Sequence, residues 1–300
     1  MIQVKEVVKQ FDKQPVIKNL SCQIEDNSIY GLVGANGAGK STLLRLLVGI
    51  YQKEGGEISV DGVDPFDNPT IKESIVFVPD DLYFHNGYTL KDYAKIYQSL
   101  YPKFDMNLVN ELAEKLHLKM NVAIDTFSKG MKRQCALICA MATNAKYLLF
   151  DETFDGLDPV VRNFMKRCLA EQMTRQDTTI IMTSHNLREL EDICDHLGLL
   201  YQGGILFESE IDRLKTNMYK IQISFKEDFD ETKFKDLDIL HYKKNGSVAT
   251  LIIKGEEEAL QKKLQAMKPL LLDFLSLTLE EIFIYEMEVL GYEFEEMVSR

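Results

Sequence analysis

Ile29-Tyr30-Gly31-Leu32-Val33 runs directly into Gly34-Ala35-Asn36-Gly37-Ala38-Gly39-Lys40-Ser41-Thr42, and that loop runs into the apolar stretch Leu43–Val48. An apolar strand, a glycine-rich loop ending in Lys-Ser-Thr and a helix, in that order, form the context a phosphate-binding loop requires. Glycines let the backbone curl until successive N–H groups point inward, and the following helix adds the positive end of its dipole. Gly34, Asn36, Gly37, Ala38, Gly39 and Thr42 are therefore expected to line a phosphate cradle, with Lys40 reaching the β- and γ-phosphates. The Ser41 hydroxyl is expected to ligate Mg²⁺, which bridges β- and γ-oxygens and offsets charge as the terminal phosphoryl leaves.

Upstream and just downstream of the loop the chain is strand-rich. Ile2–Val8, Ser21–Glu25, Glu57–Val60 and Ser74–Val78 are short β-type runs, punctuated by Gly55-Gly56 and Asp61-Gly62. From Thr89 to Leu118 the apolar residues take helical spacing, broken at Pro102. Tyr147–Phe150 and Thr179–Thr183 are unbroken apolar or β-branched runs that end in polar residues, which predicts parallel strands buried on both faces. Helices are expected from Val160 and Leu187. After Gly203-Gly204 the pattern changes again, with strands predicted at Tyr219–Phe225 and Val248–Ile253 and a helix at Glu256–Met267.

Composition narrows the partners. The 300 residues carry a net charge of −12 with no dense Lys/Arg block, so nucleic acid and anionic membrane surfaces are repelled. Five cysteines, an odd number without a CxxC pair, fit a reducing compartment and small apolar packing. The opening residues, MIQVKEVVKQF, bring charge too early for an export signal. The most apolar stretches, Leu43–Ile50 and Cys135–Phe150, fall short of the ~20 apolar residues of a spanning helix or carry Asn144 and Lys146 within them. The chain is therefore expected in the cytoplasm, and any membrane role requires another polypeptide.

Four further features accompany the phosphate loop. Tyr147-Leu148-Leu149-Phe150-Asp151-Glu152 ends a strand in two acids: Asp151 can hold the Mg²⁺ shell and Glu152 can orient or deprotonate water. Phe127-Ser128-Lys129-Gly130-Met131-Lys132-Arg133-Gln134 opens a helical run, with Ser128 suited to N-cap it. Phe154-Asp155-Gly156-Leu157-Asp158-Pro159 follows the acid pair, and Thr183-Ser184-His185 ends the next strand. In this order the segments resemble the ABC ATPase family: phosphate loop, signature motif, acid-ended strand, D-loop, then a histidine at the end of the next strand. Lys129 stands where the family's signature usually has a second glycine.

The resemblance covers residues 1 to about 210 and implies an α/β P-loop NTPase of ABC type. It would comprise a β-rich lobe, a RecA-like core and a helical subdomain at about 83–145, and a small α+β module would follow at 211–300. It implies that His185 contacts the γ-phosphate and that Phe11 stacks on adenine; Phe11 is equally compatible with the core of the first strand pair. It also implies a head-to-tail sandwich in which Lys40, Asp151, Glu152 and His185 of one subunit meet Ser128 and Gly130 of another across ATP and Mg²⁺. Such a subunit, in a homodimer or heterodimer, would drive a separate transmembrane subunit from the inner face of the cell membrane. Leu277–Phe283 resembles the closing element of accessory domains in bacterial drug-exporting members, and also reads as an amphipathic helix packing on its own module. Glu286–Arg300 is an acidic end with Tyr292 and Phe294, suited to docking or to solvation.

One departure stands out. The family's usual glutamine between the β-rich lobe and the helical segment is replaced by Asp80, in Val76-Phe77-Val78-Pro79-Asp80-Asp81; a carboxylate can ligate Mg²⁺ but adds negative charge beside a triphosphate, and Asp80 is expected to keep the metal-side role. Rival functions fit less well. Chromosome-maintenance members need a long coiled coil between Ser41 and Phe127, for which there are no sustained heptads. Ribosome-acting members resemble tandem cassettes with a basic linker, and a P-loop kinase has no use for the signature segment. A nucleotide-binding half without catalysis is the alternative that remains, although Glu152, His185, Ser128 and Gly130 are all in place.

Overall fold

The computed structural model describes residues 1–211 and 218–289, so the Glu286–Arg300 end lies largely outside the described residues. Its described part divides into two compact units, Met1–Glu208 and the residues from Ser209 onward.

In the first unit, strands β1 (Ile2–Phe11), β2 (Gln14–Ile24) and β4 (Gly55–Val60) form an antiparallel sheet of order β2-β1-β4. Alternation decides which face is buried: Val4, Val7, Ile17, Leu20, Ile58 and Val60 point into one core together with Leu43, Leu44, Leu46 and Leu47 of α1 (Lys40–Leu47). A second sheet has the order β5-β6-β7-β3-β8-β9, built from β3 (Ile29–Val33), β5 (Ile75–Val78), β6 (Tyr147–Asp151), β7 (Thr179–Ser184), β8 (His196–Tyr201) and β9 (Gly204–Glu210). The pairs β5–β6, β6–β7, β7–β3 and β3–β8 are parallel. Every residue of β3, β6 and β7 is buried, as their unbroken apolar sequences require.

The helical segment begins after a four-residue helix, α2 (Pro69–Lys72). Helix α3 (Leu90–Leu100) starts at a capping box of Thr89 and Asp92, and α4 (Met106–Lys115) is capped by Asp105, with Pro102 between them. Both pack on α5 (Lys129–Ala142), whose residues from Gln134 to Ala142 are all buried. Helices α6 (Pro159–Arg175) and α7 (Leu187–Glu191) complete this unit.

The second unit is a four-stranded antiparallel sheet of order β11-β12-β10-β13, from β10 (Met218–Ser224), β11 (Ile239–Asn245), β12 (Val248–Lys254) and β13 (Leu271–Leu275). Leu260 and Leu264 of α8 (Glu257–Ala266) share a core with Ile221, Ile223, Leu251 and Ile253. Helix α9 (Leu279–Val289) begins at a second capping box, Thr278 with Glu281, and buries Leu279, Ile282 and Phe283; Glu281 also pairs with Lys220 of β10 at 2.5 Å. The Leu277–Phe283 stretch thus packs within its own unit. All five cysteines are free, and no described helix is long and apolar enough to cross a membrane.

Candidate nucleotide-binding site

The sheet order places three strand ends side by side. Because β6, β7 and β3 are parallel neighbours in register, with Asp151 opposite Thr183 and Ser184 opposite Val33, the residues after each strand emerge at one edge. Ligands of open parallel sheets bind at that carboxyl edge. The phosphate loop after β3, Glu152 after β6 and His185 after β7 meet there.

The loop has the backbone its sequence predicts. Gly37 and Gly39 have φ of 81° and 112°, which side chains rarely tolerate, and a Cβ on Gly34 would stand 2.5 Å from the carbonyl oxygen of Leu200. Helix α1 starts with Gly39 as its N-cap and no side-chain cap, whereas Thr89, Asp105, Ser128 and Asp158 cap α3, α4, α5 and α6. Its first N–H groups are available to an anion. Lys40 is 4% exposed; its Nζ donates to the Gly34 carbonyl at 2.6 Å and lies 3.1 Å from Glu152 Oε1.

Asp151 is buried, its Oδ1 accepting from Thr183 Oγ1 at 2.8 Å while its Oδ2, equally buried, has no partner. A buried carboxylate oxygen without a donor is costly unless something cationic serves it, so the residues fit Mg²⁺ beside the Ser41 hydroxyl. Thr183 Oγ1 also accepts from the Glu152 N–H at 2.9 Å, tying the strand end to the following turn. His185 is half exposed, with Nδ1 3.4 Å from Glu152 Oε2 and 3.1 Å from Asp155 Oδ2. Asp155 is pushed up to about 8 by burial and by the neighbouring Glu189 carboxylate.

A pocket is lined by Phe11, Val16, Asn36, Gly37, Gly39, Lys40, Ser41, Thr42, Asp80 and Glu152. Phe11 is 39% exposed at the end of β1, so its ring belongs to the pocket mouth rather than to the sheet core. Tyr51 meets it edge-on at 5.2 Å between centroids and Lys9 Nζ stands 5.0 Å from its centre. Asp80 lines the same pocket, but its Oδ1 is 2.5 Å from Arg133 Nη2. Ser128 and Gly130 do not line the pocket; Ser128 Oγ caps α5 by accepting from Met131 N at 3.2 Å, and Gly130 lies against the Gly156 carbonyl. Sequence reasoning gave no role to Thr183, Tyr51, Lys9 or Arg133, although Thr183 and Arg133 stand inside motifs it quoted.

Residues 17–155 match the family described as ABC transporter. The ABC transporter ATP-binding protein YtrB of Bacillus subtilis (strain 168) is 32% identical over 284 residues, covering 95% of this chain and 97% of that one. The bacitracin transport ATP-binding protein BcrA of Bacillus licheniformis is 30% identical over 223 residues, covering 72% of this chain and 71% of its own. Among solved structures, an ATP-binding subunit of an ABC transporter superposes with a TM-score of 0.66 at 24% identity, over 71% of this chain and 91% of that one, a likeness of fold.

Proposed function

The chain belongs to the family of ABC transporter ATP-binding proteins, and from that premise we propose that its pocket hydrolyses Mg²⁺-ATP at the interface of two such subunits to drive export through a separate transmembrane subunit. ATP binding, transport-coupled ATPase activity and a transmembrane partner come with the family. The residue roles, the dimer, the metal, the outward direction and the place at the inner membrane face are our reading.

What carries it is the convergence of Lys40, Glu152 and His185 at one edge of the parallel sheet, Glu152 lying 3.1 Å from Lys40 and 3.4 Å from His185. In this reading Lys40 exchanges its bonds to Gly34 and Glu152 for the β- and γ-phosphates, which releases the Glu152 carboxylate toward water. Glu152 then orients that water or accepts its proton, and His185 meets the terminal phosphate. Mg²⁺, held by Ser41 and Asp151, would supply charge compensation at the β- and γ-oxygens. Phe11, partly exposed at the pocket mouth, is the ring that would stack on the base. Ser128 and Gly130, which do not line their own pocket, would close the pocket of a second subunit. Export rests on the resemblance of Leu277–Phe283 to accessory domains of exporting members.

The test is ATP turnover by the purified chain and by Glu152→Gln, each run through size-exclusion chromatography with Mg²⁺-ATP. We expect turnover only in the wild type, and a nucleotide-dependent dimer that accumulates in the variant. A wild type that binds ATP but neither turns it over nor dimerises, even with its membrane partner supplied, would assign the chain to the non-catalytic half of an asymmetric pair.

A further inference from the structure

Arg133, in the second turn of α5, joins that helix to two loops, the one carrying Asp80 and the one carrying both Glu152 and Asp155. Its Nη1 donates to the carbonyl oxygen of Glu152 at 2.6 Å and also to that of Asp155, and its Nη2 reaches Asp80 Oδ1 at 2.5 Å. These partners lie 19, 22 and 53 residues away in sequence. Four-fifths of the side chain is buried, its exposure being 19%. A planar guanidinium can serve two carbonyls and a carboxylate together, which an ammonium on one point cannot do.

The backbone it holds is unusual. Glu152 has φ 46°, in the left-handed region that a non-glycine residue keeps only where the surroundings impose it. Both flanking peptide groups are fixed, the N–H by Thr183 Oγ1 and the carbonyl by Arg133. That backbone turn aims the Glu152 carboxylate between Lys40 and His185.

We propose that Arg133 is a positioning residue for hydrolysis: aimed by Asp80, it fixes the backbone of Glu152 and so the direction of the carboxylate that addresses the attacking water. The inference rests on the reading of Glu152 as that carboxylate. It also gives Asp80 a different task from metal ligation, because its charge is spent on the guanidinium, which in turn shields a triphosphate from it.

Steady-state ATP turnover of Arg133→Met, Arg133→Lys and Asp80→Asn, in the wild-type and Glu152→Gln backgrounds, tests this. Arg133→Met is expected to lower kcat about 10- to 100-fold with KM for ATP within about threefold of wild type, and to have no further effect on the residual rate of Glu152→Gln. Arg133→Lys, which keeps the charge but gathers its donors on one nitrogen and guards against a misfolded methionine variant, should lose about three- to tenfold in kcat. Asp80→Asn should lower kcat while the Mg²⁺ concentration for half-maximal activity stays put. An undiminished kcat in Arg133→Met, or a loss expressed wholly in KM, would overturn the proposal; a tenfold shift in Mg²⁺ requirement on Asp80→Asn would return Asp80 to the metal. Hydrogen exchange of residues 152–157 separates this inference from the proposed function: faster exchange there in Arg133→Lys supports the clamp even if the wild type turns over no ATP, and unchanged exchange sinks it even if the wild type does.

Discussion

Ser184 Oγ stands 3.1 Å from Asp155 Oδ1 and 3.3 Å from Glu189 Oε2, and its single proton cannot serve two ionised carboxylates at once. Arg162 neutralises Glu189 from its other side at 2.8 Å, while Glu152 and His185 face Asp155 from the neighbouring strand ends. With its pKa raised from 3.8 to about 8, Asp155 keeps in the folded protein a proton that the unfolded chain gives up. Its contribution therefore makes stability fall as pH rises through that window and level off above about 8. We expect the thermal midpoint of the wild type to drop by a few degrees more between pH 6 and pH 9 than that of Asp155→Asn, which cannot ionise; parallel profiles would refute this. At Gly34 the constraint is steric. The Cβ of Gly34→Ala would meet a backbone carbonyl that cannot swing away, so ATP affinity should fall at least about tenfold and stability by about 1–3 kcal/mol, as read by nucleotide titration and urea unfolding. Gly34, Lys40, Ser41 and Glu152 were legible because their chemistry is local in sequence. Arg133 was not, since its partners lie in two turns distant in sequence, one with Asp80 and one with Glu152 and Asp155, and no periodicity marks a side chain that bonds to carbonyls.

Elements carry a second layer of meaning at Ser128. Its hydroxyl is the N-cap of α5, and a capped helix start is also where an anion from a second subunit would sit. The two tasks separate by substitution. Ser128→Ala should cost about 1 kcal/mol in urea unfolding, the usual worth of a cap, while Ser128→Asp should keep the cap within about 0.5 kcal/mol. The aspartate would nonetheless put a negative charge against a terminal phosphate, so the nucleotide-dependent dimer of Glu152→Gln should vanish when Ser128→Asp is added. If that double variant still dimerises with ATP, Ser128 is a cap and nothing more. Strands and helices with strong local signals matched expectation: β3 spans the predicted Ile29–Val33, and α3 and α4 flank Pro102 as the spacing required. Strands β11 and β13 were not singled out. Their sequences, ILHYKKN and LLDFL, keep no clean alternation and only partial burial, and pairing with β12 and β10 makes them strands.

At the scale of the whole molecule, each unit owns a core: one of β1, β2, β4 and α1 side chains, the other of β10, β12 and α8 side chains. Every residue assigned to the nucleotide lies within Met1–Glu208, the unit that also contains the resemblance read from the sequence. A ligand that binds only the folded form of one unit adds RT ln(1 + [L]/Kd) to that unit's unfolding, about 2.7 kcal/mol at a hundredfold excess over Kd. Calorimetry of Glu152→Gln, which keeps ATP intact, should therefore show two transitions, of which only the one belonging to the first unit moves up with Mg²⁺-ATP. Leu251 is wholly buried in the second core, and Leu251→Ala should lower the other transition by about 2–4 kcal/mol without changing ATP affinity. If the nucleotide raised both transitions together, or Leu251→Ala weakened ATP binding, the second unit would be energetically linked to the ATP site, and its role would have to be sought in control of turnover.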